Sequence, residues 1–249
     1  MKIGVQIHPQ ATTVAEMRTA WKAADDLGVD SISVWDHFYP LYGDANESHF
    51  EAYSLLAAMA ADTSHAQIGA LVACYSYRNP QLLADMSRTI DHISGGRFIL
   101  GIGSGWFERD YKEYGYEFGT AVGRLKLLEA GLPVIKERLG KLNPGPVNGS
   151  MPLMIGGSGE KFTLRLVAEH ADMSNFFGPV ENVRHKNNVL DEWCRKTGRD
   201  PREVERTVSV EPEDLANADA FAAAGAEHLI VMVGSPFDLA AVEKFMSSR

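Results

Sequence analysis

The feature that most constrains this chain is an alternation that runs from end to end. Short β-like runs and amphipathic helix-like segments alternate along the chain, with a long loop at Asp36–His49 and a linker at Gly140–Met151 as the most loop-like stretch. The β-like runs are Lys2–Ile7 (KIGVQI), Ser31–Trp35 (SISVW), Gln67–Ala73 (QIGALVA), Arg97–Ile102, Pro152–Ile155, Asp172–Phe176, Arg206–Val210 and His228–Val233 (HLIVMV). Helical patterns lie between them. Thr13 and Glu16 have capping-box spacing, Val14, Met17, Trp21, Ala24 and Leu27 recur on one face, and Gly28 supplies the stop. Glu51–Asp62 is rich in Ala and Leu. Asn79–Pro80 reads as an N-cap with proline at the first helical position, opening a helix to Ser94 closed by Gly95–Gly96. Further helices are expected over Val122–Leu139, Glu160–His170 and Glu181–Lys196, and near Asp214–Ala224. Ser235-Pro236-Phe237-Asp238 has the cap, proline and acidic residue of a last helix start. Eight strand–helix units in 249 residues match the repeat count and size of a (β/α)8 TIM barrel. Alternation alone also fits a doubly wound sheet, and the repeat count selects the barrel. We expect one domain over 1–249, with shortened loops.

Charge and cysteine usage narrow the class of partner. Lys+Arg number 24 against 33 Asp+Glu, a formal net charge of −9. Nucleic acid and anionic membrane surfaces would repel such a surface, so neither is expected as a partner. A local anion site remains compatible with it. Cys74 and Cys194 lie far apart with no CxxC spacing, so no disulfide framework or zinc knuckle is expected. The opening MKIGVQIHPQ has no apolar core of signal-peptide length, and no apolar run approaches a membrane span. The expected setting is the cytoplasm.

In a barrel, chemistry sits at the carboxyl ends of the strands and in the loops that follow. Those positions hold His8, Asp36–His37–Phe38, Cys74–Tyr75–Ser76–Tyr77–Arg78, Gly103–Ser104–Gly105–Trp106, Gly156–Gly157–Ser158–Gly159 and Asn175. Gly156–Gly159 joins a strand to an expected helix at Glu160. Glycines let backbone N–H groups converge there, and the helix N-terminus adds partial positive charge. We read it as a phosphate cradle, with Lys161 and Arg165 as extra charge. A plain tight turn is the alternative. Gly101-Ile102-Gly103-Ser104-Gly105 is a weak dinucleotide fingerprint, because bulky Trp106 takes the sixth position. It reads instead as backbone that a flat ligand approaches closely. His37 is a candidate proton carrier with Asp36 beside it. No histidine spacing suits a metal, and none is expected. The aromatics Phe38-Tyr39, Tyr75, Tyr77 and Trp106-Phe107 would serve either as ligand walls or as loop anchors.

These residues resemble a family. KIGVQIHPQ, DSISVWDHFYP, IGALVACYSYRNPQLLADMSRTIDHISGGRFILGIGSGWFERDYKEYG and PLMIGGSGEKFTLRLVAEHADMSN are similar to luciferase-like monooxygenases, in the branch that uses coenzyme F420. The resemblance implies a hydride transfer between that deazaflavin and a small organic substrate. FMN-dependent oxygen chemistry, or flavin binding without turnover, are the alternatives. It implies a ring near Asp36 and His37 and against Leu71–Val72, with a non-proline cis peptide at that pair. It also implies cofactor contacts at Cys74, at Gly103, Ser104 and Gly105, and at Gly156, Gly157, Ser158 and Gly159. His37, Asp36 and Trp106 are then the catalytic candidates. Similar sugar-phosphate dehydrogenases carry an acidic residue where this chain has Trp106, a departure that sets their substrate aside. Relatives carry a longer insertion where this chain has only Gly140–Met151, so substrate-covering structure is expected to be missing or supplied by another subunit. Homodimers are common among relatives, and one is expected here.

Overall fold

The computed structural model describes residues 1–248. The strands are β1 Lys2–Ile7, β2 Ser31–Val34, β3 Gln67–Ala70, β4 Ala73–Cys74, β5 Phe98–Gly103, β6 Leu153–Gly156, β7 Met173–Phe177, β8 Glu205–Val210 and β9 His228–Val233. All pair in parallel, and β3 also pairs with β5, closing the sheet into a barrel. β3 and β4 are two parts of one stave, so the barrel is eight-staved as the repeat count required. The helices are α1 Val14–Asp26, α2 Ala52–Asp62, α3 Pro80–Ser94, α4 Glu108–Tyr114, α5 Ala121–Lys141, α6 Thr163–His170, α7 Val180–Thr197, α8 Ala218–Ala223 and α9 Ala240–Ser247. Among the described residues no helix is long and apolar enough to cross a membrane.

Local chemistry sets these boundaries. Thr13 and Glu16 form the capping box in full, and Gly28 turns away at φ +77°. The Asn79 side chain accepts from Gln81 and Leu82 N–H, with Pro80 behind it, and α3 ends on left-handed Gly95.

Four expectations are corrected. The third strand does not run through Gln67–Ala73. It breaks at a non-proline cis peptide between Leu71 and Val72, and only Ala73–Cys74 resumes pairing. Between Trp106 and Val122, where the sequence pattern predicts no helix, lies the helix α4. α6 starts at Thr163, three residues later than Glu160, with no side-chain cap. The Ser235–Asp238 motif starts no helix. Pro236 follows a cis bond, Phe237 sits at φ +61°, and α9 opens at Ala240.

Period-two alternation along the staves fills the barrel in tiers. Leu71, Ile99, Met154, Met173 and Ile230 form an apolar tier of their own. Two residues on along β5, β6, β7 and β9, Gly101, Gly156, Asn175 and Met232 follow. The tier toward the carboxyl ends is polar: Gln6 Nε2 donates to Leu71 O at 2.7 Å, Asn175 Nδ2 to Thr207 Oγ1 at 2.8 Å, and Ser209 Oγ to Asn175 Oδ1 at 3.2 Å. At the opposite end buried His228 bridges Ser31 and Glu205, at 3.1 and 3.0 Å. The larger core lies between sheet and helices.

The segment Gly140–Met151 lies at that opposite end too. It leads from α5 into the start of β6. Val147 N–H donates to Asp91 Oδ2, and Asn148 Nδ2 donates to Gly96 O, both where α3 hands over to β5. Its length therefore has no bearing on how the carboxyl-end face is covered. That face is covered by the β2 loop and by Trp106–Tyr114.

Candidate active site

A cavity of about 410 Å³ opens at the carboxyl ends of the strands, a size suited to a small-molecule ligand. It brings together Asp36, His37, Leu71, Val72, Cys74, Gly103, Ser104, Gly105, Trp106, Gly156 and Gly157. Ser158 and Gly159 do not line it. Gln6, Tyr42, Thr163, Phe177 and Met232 do, and sequence reasoning had not singled them out.

His37 is anchored from below. Its Nδ1 lies 2.7 Å from Asp110 Oδ2, and Asp110 is fully buried. The same carboxylate accepts from Tyr77 Oη at 2.8 Å and from Phe38 N–H at 3.2 Å. Burial, then Cys74 and Asp110, raise the Tyr77 pKa, so this hydroxyl stays a donor. Facing a carboxylate, Nδ1 carries the hydrogen, which leaves the Nε2 lone pair for the cavity. Nε2 has no protein partner among the described residues. Asp110 was missed because it lies 73 residues from His37, inside a helix that the aromatic spacing concealed.

Asp36 does not orient His37. Its carboxylate takes two hydrogen bonds from Arg78, at 2.7 and 3.0 Å, and one from Cys74 N–H at 3.0 Å. Arg78 also pairs with Glu51 and lies over the Tyr53 ring. The Asp36–Arg78 pair thus fixes the start of the Cys74–Tyr77 turn to β2. Burial pushes the Cys74 thiol up to about 11, so it is a neutral wall group.

The glycines answer to Val72 before any ligand. A Cβ on Gly101 would lie 2.0 Å from Ala70 O, one on Gly103 2.8 Å from Val72 Cγ2, and one on Gly156 2.9 Å from both Val72 methyls. They make room for the Leu71–Val72 bulge inside the barrel. Gly105 (φ +80°) and Gly157 (φ +118°) need glycine for their backbone conformation.

The proposed anion cradle is smaller than expected. Gly157 N–H already donates to Asn175 O at 2.8 Å. Arg165 is held by Glu129 and Glu169. What remains is the uncapped first turn of α6, where Thr163 lines the cavity and its hydroxyl finds no protein partner among the described residues.

The aromatics divide by role. Phe38, Tyr77, Tyr111, Tyr114, Tyr116 and Phe118 pack on one another and anchor the loops. Tyr75 fills the space over Gly131 on α5. Trp35, Tyr42 and Trp106 line the cavity instead. His8 packs tilted on Trp35 with ring centroids 4.2 Å apart, and its Nε2 is buried with no partner among the described residues.

Comparison with known proteins places this geometry in context. Residues 1–240 match the family model described as luciferase-like monooxygenase. A 5,10-methylenetetrahydromethanopterin reductase of Archaeoglobus fulgidus is 31% identical over 211 residues, 80% of this chain and 60% of the relative. An F420-dependent glucose-6-phosphate dehydrogenase of Amycolatopsis mediterranei is 32% identical over 115 residues, 46% of this chain and 34% of the relative. The chain thus spans less than two thirds of either relative. A solved F420-dependent secondary alcohol dehydrogenase superposes with a TM-score of 0.87 at 16% identity, covering 99% of this chain and 97% of that one. At that identity the likeness is one of fold.

Proposed function

The chain belongs to the luciferase-like monooxygenase family, and we propose that it is an oxidoreductase that moves a hydride between coenzyme F420 and a small organic substrate. The observation that carries the reading is His37: a buried carboxylate fixes one ring nitrogen, and the other stands free at the cavity wall. The F420-dependent activity in one relative's name supports the cofactor.

The residues present fit a flavin-like group with a phosphate. Val72 and Leu71 offer an apolar floor, and Ser104 and Gly105 border one side. Gly156, Gly157 and Thr163 border the turn that would meet the phosphate, with Ser158 and Gly159 next in the chain. When bound, the deazaflavin supplies or accepts the hydride. The protein handles the coupled proton. As a carbonyl is reduced at carbon, Nε2–H of protonated His37 gives its proton to the carbonyl oxygen. As an alcohol is oxidised, the Nε2 lone pair of neutral His37 takes the hydroxyl proton. Asp110 holds the ring through Nδ1, and Trp106 flanks the site, its ring centroid 5.7 Å from that of His37.

FMN-dependent oxygen chemistry is the second reading, motivated by a pyrimidine monooxygenase of Caulobacter segnis that is 31% identical over 176 residues. Loading the purified protein with either cofactor and following oxygen uptake after reduction separates the two. The first reading predicts retention of F420 and no oxygen consumption. Retained FMN with rapid oxygen uptake would overturn it. Cytoplasmic location and a homodimer belong to the same proposal, and the second is checked by sedimentation equilibrium.

A further inference from the structure

The wall around His37 has a chemistry of its own. Phe107 and Trp106 meet its ring edge-on at 5.4 and 5.7 Å, and Trp35 meets it at 6.5 Å. Tyr42 extends the wall, 5.9 Å from Trp35. Trp106, Phe177 and Tyr42 are 64%, 59% and 58% exposed, the three most exposed large hydrophobic side chains among the described residues. All three border this one cavity. Large apolar side chains left exposed around a concavity mark a ligand surface.

Charge is missing from the same wall. The ionisable residues bordering the cavity are Asp36, His37, Tyr42 and Cys74. The Asp36 carboxylate is 1% exposed and neutralised by Arg78. The Cys74 thiol is neutral. His8 and His49, packed against Trp35, are held down to about 4 by burial and carry no charge near neutrality. His37 is already paired with the buried Asp110, so a substrate carboxylate or phosphate beside it would lose its water and gain no unpaired cation, an unfavourable exchange. A neutral ring loses nothing of the kind and covers exposed aromatic surface.

We propose that the substrate is a neutral, ring-bearing carbonyl compound (or the matching alcohol), with its ring against Trp106 and Tyr42 and its oxygen at His37 Nε2. This rests on the function proposed above, but its test does not. Acetophenone and 4-acetylbenzoate share ring and ketone and differ by one carboxylate. Their dissociation constants are measured by saturation-transfer NMR on the free chain and again with coenzyme F420 added. Acetophenone is expected to bind at least tenfold more tightly than 4-acetylbenzoate in both. Tyr42→Lys is expected to shrink that ratio at least fivefold, by supplying the missing cation. Trp106→Ala is expected to weaken acetophenone at least fivefold. Equal or tighter binding of 4-acetylbenzoate, or no binding of either compound, would overturn the proposal. Failure of F420 to bind while the neutral preference persists would instead strike the cofactor reading alone.

Discussion

Asp110 receives hydrogen bonds from an imidazole, a phenol and a backbone N–H while wholly buried. That geometry makes it a positioning residue for His37. Asp110→Asn keeps the volume but no longer enforces the Nδ1–H form. Turnover should fall roughly 10²-fold, with F420 affinity little changed. Unaltered turnover would reduce Asp110 to a packing role. Thr163 makes a separate case, because it lines the cavity and its hydroxyl has no partner among the described residues. Thr163→Val should weaken cofactor binding about tenfold, or about 1.4 kcal/mol, without lowering the thermal midpoint. Gly101 is constrained by backbone, which cannot yield as a side chain can. Gly101→Ala sets a methyl 2.0 Å from Ala70 O, so stability should fall by about 2 kcal/mol or more in urea unfolding.

At the scale of elements, helix α5 offers the opposite test. Gly140 sits near its end, and a Cβ there meets nothing within 4 Å. Gly140→Ala should therefore raise stability by about 0.5–1 kcal/mol. The same contrast shows what was legible in the sequence. Strands β1 and β9, the Thr13–Glu16 box and the Asn79–Pro80 start of α3 depend on residues within one turn of each other, and they stand where the sequence put them. The Ser235–Asp238 signal failed because Phe237 adopts a left-handed backbone, which no local pattern announces. Helix α4 escaped notice because its aromatics serve neighbouring loops, so they obscure a helical stripe. In the site, His37 and the glycine loops were legible as strand-end residues. Their partners were not. Asp110 and Arg78 act on the site through hydrogen bonds to His37 and Asp36, 73 and 42 residues away in the chain, and Thr163 lines the cavity because α6 opens later than the pattern suggests.

The whole molecule carries a pH signature from two histidines that play no part in the proposed proton transfer. Burial lowers both His8 and His49 to about 4, with His37 adding to the effect on His49. Unfolded, each binds a proton near its ordinary value of about 6.5. Between those limits the unfolded chain holds more protons, so folding stability falls as pH drops from about 6.5 toward 4. The loss should be on the order of 3 kcal/mol per histidine by pH 4, read as a declining urea midpoint. His8→Gln with His49→Gln should flatten that slope, and an unchanged slope would assign it to other groups.

All of this rests on one barrel placing a proton-handling histidine beside a cofactor cradle. The most direct test is a fluorescence titration of coenzyme F420 with the chain 1–249, with FMN added as competitor. Saturable one-to-one quenching that excess FMN does not reverse is expected. Absent quenching, or complete displacement by stoichiometric FMN, would contradict it.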